Sequence, residues 1–148
     1  MGFKIHEADW STHEADLLAV RVAVFVEEQG VPLALEHDEH DAGALHVMAI
    51  SDRGSLIGTA RMLDNGHIGR MAVLRDQRGR GVGTALLQRL LRIAAGRKQR
   101  SVFLHAQCSA IPFYERLGFV AEGRVFLDAG IEHRAMVRAL TGGQDWPG

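Results

Sequence analysis

The stretch Gln77-Arg-Gly-Arg-Gly-Val-Gly-Thr-Ala85 decides how the rest of the chain is read. Before it lies an apolar run, residues 68–74; after it Leu86, Leu87, Leu90, Leu91 and Ala94 recur at helical spacing. The pattern predicts strand, glycine loop and helix over residues 67–97. A loop entering a helix leaves several backbone N–H groups without intrahelical acceptors. The helix dipole adds about half a positive charge at that end, and glycine lets a ligand approach the backbone closely. With Arg78 and Arg80 alongside, the natural guest is a phosphate or pyrophosphate.

Spacing narrows the choice of phosphate ligand. A nucleotide-hydrolysing loop ends in Gly-Lys-Ser/Thr, which is absent here. A dinucleotide fingerprint needs a glycine where Thr84 stands and an acidic residue about twenty positions on, and neither is present. Arg78-Gly79-Arg80-Gly81-Val82-Gly83 instead resembles the acetyl-CoA loop of the GNAT-type N-acetyltransferase superfamily, Arg/Gln-x-x-Gly-x-Gly/Ala at the start of a helix. Residues 107–119 resemble that superfamily's later motif, Asn-x-x-Ala-Ile-x-x-Tyr-x-x-x-Gly-Phe, with Ala110, Ile111, Tyr114, Gly118 and Phe119 in place and Gln107 where Asn is usual. Arg21-x-x-Val-Phe-Val-Glu-Glu-Gln29 resembles the opening of a small bacterial subgroup.

The resemblance implies an α/β fold: a mostly antiparallel twisted sheet of six to seven strands with one splayed parallel pair, flanked by about four helices. It implies that the backbone at Met71, Ala72 and Val73 holds the thioester arm of acetyl-CoA by strand-like hydrogen bonds. The pyrophosphate then falls to the amides of Arg78, Gly79, Arg80, Gly81, Val82, Gly83 and Thr84, with Gln107 and Phe113 as further cofactor contacts. Gly81 and Gly83 are expected to tolerate nothing larger. Tyr114, the one tyrosine of the chain, takes the position of the general acid that protonates the departing thiolate.

An amine acceptor must also lose a proton. Glu28, His37, Asp38, His40, Asp41 and His46 are candidate bases, with Glu28, His37 and Asp41 taken first although no motif singles one out, and His105 could relay a proton from its strand. Six acids and no Lys or Arg lie between positions 27 and 41, and eight basic residues against Asp76 alone between 75 and 100. These runs suggest an acidic lip for a cationic acceptor and a basic lip for phosphates. The two-residue gap between His37 and His40 does not fit helical zinc ligation, so no metal is expected. Cys108 has no recognisable His and Asn/Asp partners for nucleophilic chemistry.

The 148 residues suit a single domain, 1–148, with 141–148 a loose tail. Composition is ordinary for a globular protein at 47% hydrophobic and 24% charged, and the net charge of −1 gives no reason to expect nucleic acid. With one cysteine, no signal-peptide pattern and no span-length apolar run, a soluble cytoplasmic protein without membrane partners is expected. Ser11-x-x-Glu14 reads as a capping box opening a helix that runs toward Gly30. Residues 44–51 and 55–63 read as strands about Asp52-Arg53-Gly54, and Asn65-Gly66 as a hairpin turn, giving three consecutive antiparallel strands. Residues 101–106 should return parallel beside 68–74; 119–121 and 132–140 read as the last strands. Exposed strands leave a homodimer possible. The expected activity is acetyl-CoA-dependent N-acetylation of a primary amine, on a small molecule or peptide, by direct attack in a ternary complex. The alternative is a CoA-binding regulatory or sensor module without turnover.

Overall fold

The structure, a computed structural model, describes residues 2–33 and 38–140. His37 and the expected tail at 141–148 lie outside them. Strand β1 (Phe3–Ala8) leads into helix α1 (Trp10–Arg21), which continues without a break as a π-helical run, Val22–Glu28. Strands β2 (Leu45–Ser51), β3 (Leu56–Met62) and β4 (Ile68–Val73) follow, then α2 (Val82–Gly96), β5 (Ser101–Gln107), the short α3 (Ile111–Glu115), β6 (Val120–Asp128) and β7 (Ile131–Ala139).

The strands form two antiparallel sheets, ordered β1-β2-β3-β4 and β5-β7-β6. The turns read from the sequence fall where expected: the Gly54 amide closes on the Ser51 carbonyl, and the Gly66 amide on that of Leu63. Helix α2 welds the sheets together. Its stripe of Leu86, Leu87, Leu90, Leu91 and Ala94 is buried in one cluster with Val47, Ile57 and Ile68 of the first sheet and Val102, Leu104 and Met136 of the second. Gly58 permits this approach, because a Cβ there would stand 3.1 Å from Val82 Cγ1 and 3.2 Å from the Ala72 carbonyl oxygen. On the opposite face α1 lies against both β3 and β4, and Val20, with Val24 just beyond it, packs with Ala72 of β4; β3, with α1 on one face and α2 on the other, is buried along both.

Three local expectations change. Helix α1 is capped by Asp9, not Ser11: Asp9 has the extended backbone of a cap, and the Ser11 and Thr12 hydroxyls donate to its carboxylate at 2.7 and 2.8 Å. Strand β6 has nine residues rather than three. Its Glu122-Gly-Arg-Val-Phe126 segment bulges, spanning four positions against two on β7, so the period-2 signal is lost. The expected parallel pairing of β5 beside β4 is confined, among the described residues, to one parallel bridge, His67 to Phe103. By its other edge β5 bonds along its whole length to β7.

Candidate active site

Because β4 bonds to β3 and β5 to β7, the facing edges of β4 and β5 diverge from the His67–Phe103 bridge. A cavity of about 300 Å³ fills the gap. Its walls include Gly69, Arg70 and Met71 of β4, Leu104, His105 and Gln107 of β5, Tyr114 of α3, Ile131 and His133 of β7, and Phe25 and Gln29 of the π-helical segment and its end. Gln107, at the position where Asn is usual, donates its side-chain amide to Gln29 Oε1 at 2.9 Å and so ties β5 to that segment.

On the β4 side the backbone is bulged. Thr59 pairs with Ala72 and Arg61 with Gly69, leaving Ala60 opposite both Arg70 and Met71. Arg70 takes a left-handed φ of 49°. A left-handed arginine costs of order 1–3 kcal/mol, and bulges of this kind re-aim strand groups beside active sites. Nothing in the local sequence announces it.

Beyond the end of β4 lies the glycine loop. Gly79 and Gly81 have φ of 77° and 85°, and Gly81 caps α2 in the left-handed conformation without help from a side chain. The helix's first backbone bond runs from the Ala85 amide to the Gly81 carbonyl at 3.0 Å. Among the described residues the amides of residues 79 to 84 have no protein acceptor. Six adjacent donors without acceptors at a helix N-terminus form an anion cradle. Gly83 differs from the expectation set for it: a Cβ there would meet Phe113 at 3.5 Å, an ordinary contact, so the protein itself has room for alanine. Arg78 is also differently engaged. Its Nε donates to the Val73 carbonyl at 2.9 Å and its two terminal nitrogens grip Glu28 at 2.5 and 2.6 Å.

That pairing corrects the reading of Glu28 as a base. The Arg78 hydrogen bonds hold its carboxyl below the usual range, and it lies outside the cavity walls. Asp41 is corrected for a similar reason. It is buried, with Arg21 at 2.9 and 3.0 Å and Arg61 at 2.7 Å. Burial pushes its carboxyl up, but the hydrogen bonds from Arg21 and Arg61 outweigh this and keep it low. Asp38 is held by Arg61 at 2.7 and 2.8 Å and by Arg70 at 2.9 Å. His46 is sealed under Trp10 with its ring 4.8 Å away, and donates Nε2–H to the Asp41 carbonyl at 2.8 Å. Asp38, Asp41 and Glu28 therefore neutralise arginines instead of forming an acidic lip.

Tyr114 lines the cavity, with Phe113 and Phe119 packed edge-on against its ring at 5.0 and 6.0 Å. Burial pushes its hydroxyl up to about 12, so it stays protonated at any physiological pH. Sequence reasoning missed His67 and His133, both in the cavity walls. Their placement depends on strand registers tens of residues apart, which no local motif carries. His67 stacks on Phe103 at 4.7 Å and lies 4.9 Å from His105. Burial, reinforced by His105, pushes its imidazole down to about 4.

With this geometry in place, the similarity to known proteins is specific. The family described as "Acetyltransferase (GNAT) domain" matches residues 11–140. The uncharacterised N-acetyltransferase YjcF of Bacillus subtilis (strain 168) is 36% identical over 126 residues, covering 83% of this chain and 90% of its own. An acyl-CoA N-acyltransferase crystal structure from Pseudomonas aeruginosa superposes with a TM-score of 0.84 at 33% identity, over 93% of this chain and all of that one. Escherichia coli ElaA gives 0.82 at 28% identity, over 93% of this chain and 99% of that one. The chain therefore belongs to the GNAT family of acetyltransferases, enzymes that use acyl-CoA as donor.

Proposed function

We propose that the protein transfers an acetyl group from acetyl-CoA to a primary amine by direct attack in a ternary complex. The observation that carries this reading is the conjunction of six uncapped amides at residues 79 to 84 with a cavity that reaches Tyr114 through the strand gap. One feature suits a diphosphate and the other a thioester with room for an acceptor.

The amides of Gly79 through Thr84 bind the diphosphate, that of Arg78 being turned to the Arg75 carbonyl, and the β4 edge at Met71, Ala72 and Val73 aligns the thioester arm. The bulge at Arg70 and Met71 turns β4 toward the gap, where a backbone N–H can polarise the thioester carbonyl. Phe113 packs between Tyr114 and the loop at Gly83, and so keeps the acid in register with the diphosphate cradle. Tyr114 donates its proton to the departing sulfur. Its raised pKa fits this task, because the group must be fully protonated when the C–S bond breaks. Gln107 and Gln29 border the arm's path.

Incubation with acetyl-CoA and a pool of primary amines, with free thiol as the readout, tests the proposal. Amine-dependent thiol release is the expected result. Tight CoA binding without any release would favour the sensor reading instead.

A further inference from the structure

We propose that His133 is the general base of this reaction, accepting through Nε2 the proton that the acceptor nitrogen sheds as the new C–N bond forms. The inference rests on the acyltransferase reading above. His133 sits on β7 directly opposite Gln107 of β5, is 9% exposed, and lines the cavity. Its Nδ1 lies 2.7 Å from the Ile131 carbonyl oxygen. A carbonyl only accepts, so Nδ1 carries the hydrogen, and the neutral ring's lone pair is fixed on Nε2. Nε2 has no hydrogen-bond partner among the described residues and is not fully buried, and His133 is part of the cavity wall. Stacking on Phe126, 5.9 Å away at 25°, holds the ring plane. A locked tautomer, a fixed plane and one open lone pair are the requirements of a positioned base.

The other titratable groups around the cavity are less suited. Arg61 and Arg70 are cations bound to Asp38. Tyr114 is a proton donor. His67 is a weak base, since burial and the adjacent His105 hold it near 4. Asp128 and Glu132, beside His133 at the β6–β7 turn, are exposed, and Arg134 is directed to the Gly123 carbonyl at 3.0 Å. His105 is exposed, lies between His67 and the edge of Phe126, and has no backbone partner to fix its tautomer among the described residues.

The step balances without any further reactant. The neutral amine's lone pair bonds to the carbonyl carbon, its nitrogen loses one proton to His133 Nε2, and the C–S electron pair goes to sulfur. Sulfur takes the Tyr114 proton, and the tyrosinate regains one from the imidazolium directly or through water. The products are the amide and free CoA thiol.

The test compares the parent, His133→Gln and His105→Gln with acetyl-CoA and, in turn, spermidine, glucosamine and free amino acids, reading kcat against pH at saturating acceptor. For His133→Gln the expected result is a kcat about 100-fold lower at pH 7.5, no acidic limb, and unchanged acetyl-CoA affinity. His105→Gln should keep the limb. A parent that turns over and a His133→Gln variant that keeps the limb overturn this proposal alone; a parent that binds acetyl-CoA but never releases thiol overturns the acyltransferase reading and this proposal with it. Nitrogen NMR of the parent at pH 8 needs no variant. It should show His133 protonated at Nδ1 and bare at Nε2, and the opposite tautomer overturns the assignment.

Discussion

Tyr114 of α3 and His133 of β7 line one cavity, the first proposed to give a proton and the second to take one. Tyr114 could be singled out because its meaning is local: a Tyr three residues after Ile111 and four before Gly118, in a motif that fixes one short helix and the strand after it. His133 acquires its role from the β5–β7 register that sets it across from Gln107, 26 positions earlier in the chain, and from a carbonyl two residues away. On the proposed mechanism Tyr114→Phe removes the proton for the sulfur and little else, since the ring packs through its faces and edges. Its kcat should fall about 100-fold while calorimetric CoA affinity stays at the parent's value. Equal kcat values across the pH range would remove the acid assignment. The same contrast governs the bases suggested by the acidic run, because Glu28 and Asp41 looked available only while Arg78, Arg21 and Arg61 were distant in sequence.

Among the elements, the strand, glycine loop and helix of residues 67–97 are legible because composition alone specifies them, whereas the cap of α1 and the bulges in β4 and β6 are not. Bulges replace a periodic signal with a geometric one. Gly81 and Gly83 should separate by this logic. Gly81→Ala forces a left-handed alanine, costing about 1 kcal/mol, whereas Gly83→Ala, inside α2, is neutral or stabilising by up to about 1 kcal/mol. Urea denaturation of both variants checks the split, and equal stabilities would contradict it. Gly81→Val should in addition abolish CoA binding, and a calorimetric affinity equal to the parent's would refute that.

The buried Arg21–Asp41–Arg61 chain fastens α1 to β3. Removing its shared carboxylate with Asp41→Ala should destabilise the fold by about 3–5 kcal/mol, because buried Arg21 and Arg61 each lose a carboxylate, Arg61 keeping only the more exposed Asp38. Burial pushes the carboxyls of Asp38 and Asp41 up, but their arginines bring both below the unfolded value. Their contribution is therefore complete above about pH 3.9 and is lost progressively below it, as pH falls toward and through the lower folded values. His46, pushed down mainly by burial, acts in the same direction from about pH 6.5 downward. Thermal melts should shift to lower temperature on acidification from pH 7, more steeply below pH 4, and Asp41→Asn should flatten the steeper part.

At the scale of the whole molecule, two antiparallel sheets share one helix and part company at a single bridge, and the site is the space this leaves. The sequence carried the order of elements and the resemblance carried the splay. What neither carried is that Glu28, Asp38 and Asp41 of the acidic run pair with arginines, which weakens the charge contrast that these three suggest along the chain. The basic side remains: Arg75 and Arg80 are exposed beside the loop, and CoA affinity should weaken as salt screens them over about 8–10 Å.

The central claim is that the backbone amides of residues 79 to 84 hold the diphosphate of coenzyme A. Amide-resolved NMR during titration with acetyl-CoA, and in parallel with pantetheine, which lacks the diphosphate, tests it most directly. Large saturable shifts are expected at Gly79, Arg80, Gly81, Val82, Gly83 and Thr84 with acetyl-CoA, and none there with pantetheine. Saturable binding of acetyl-CoA that leaves those six amides unmoved would contradict it.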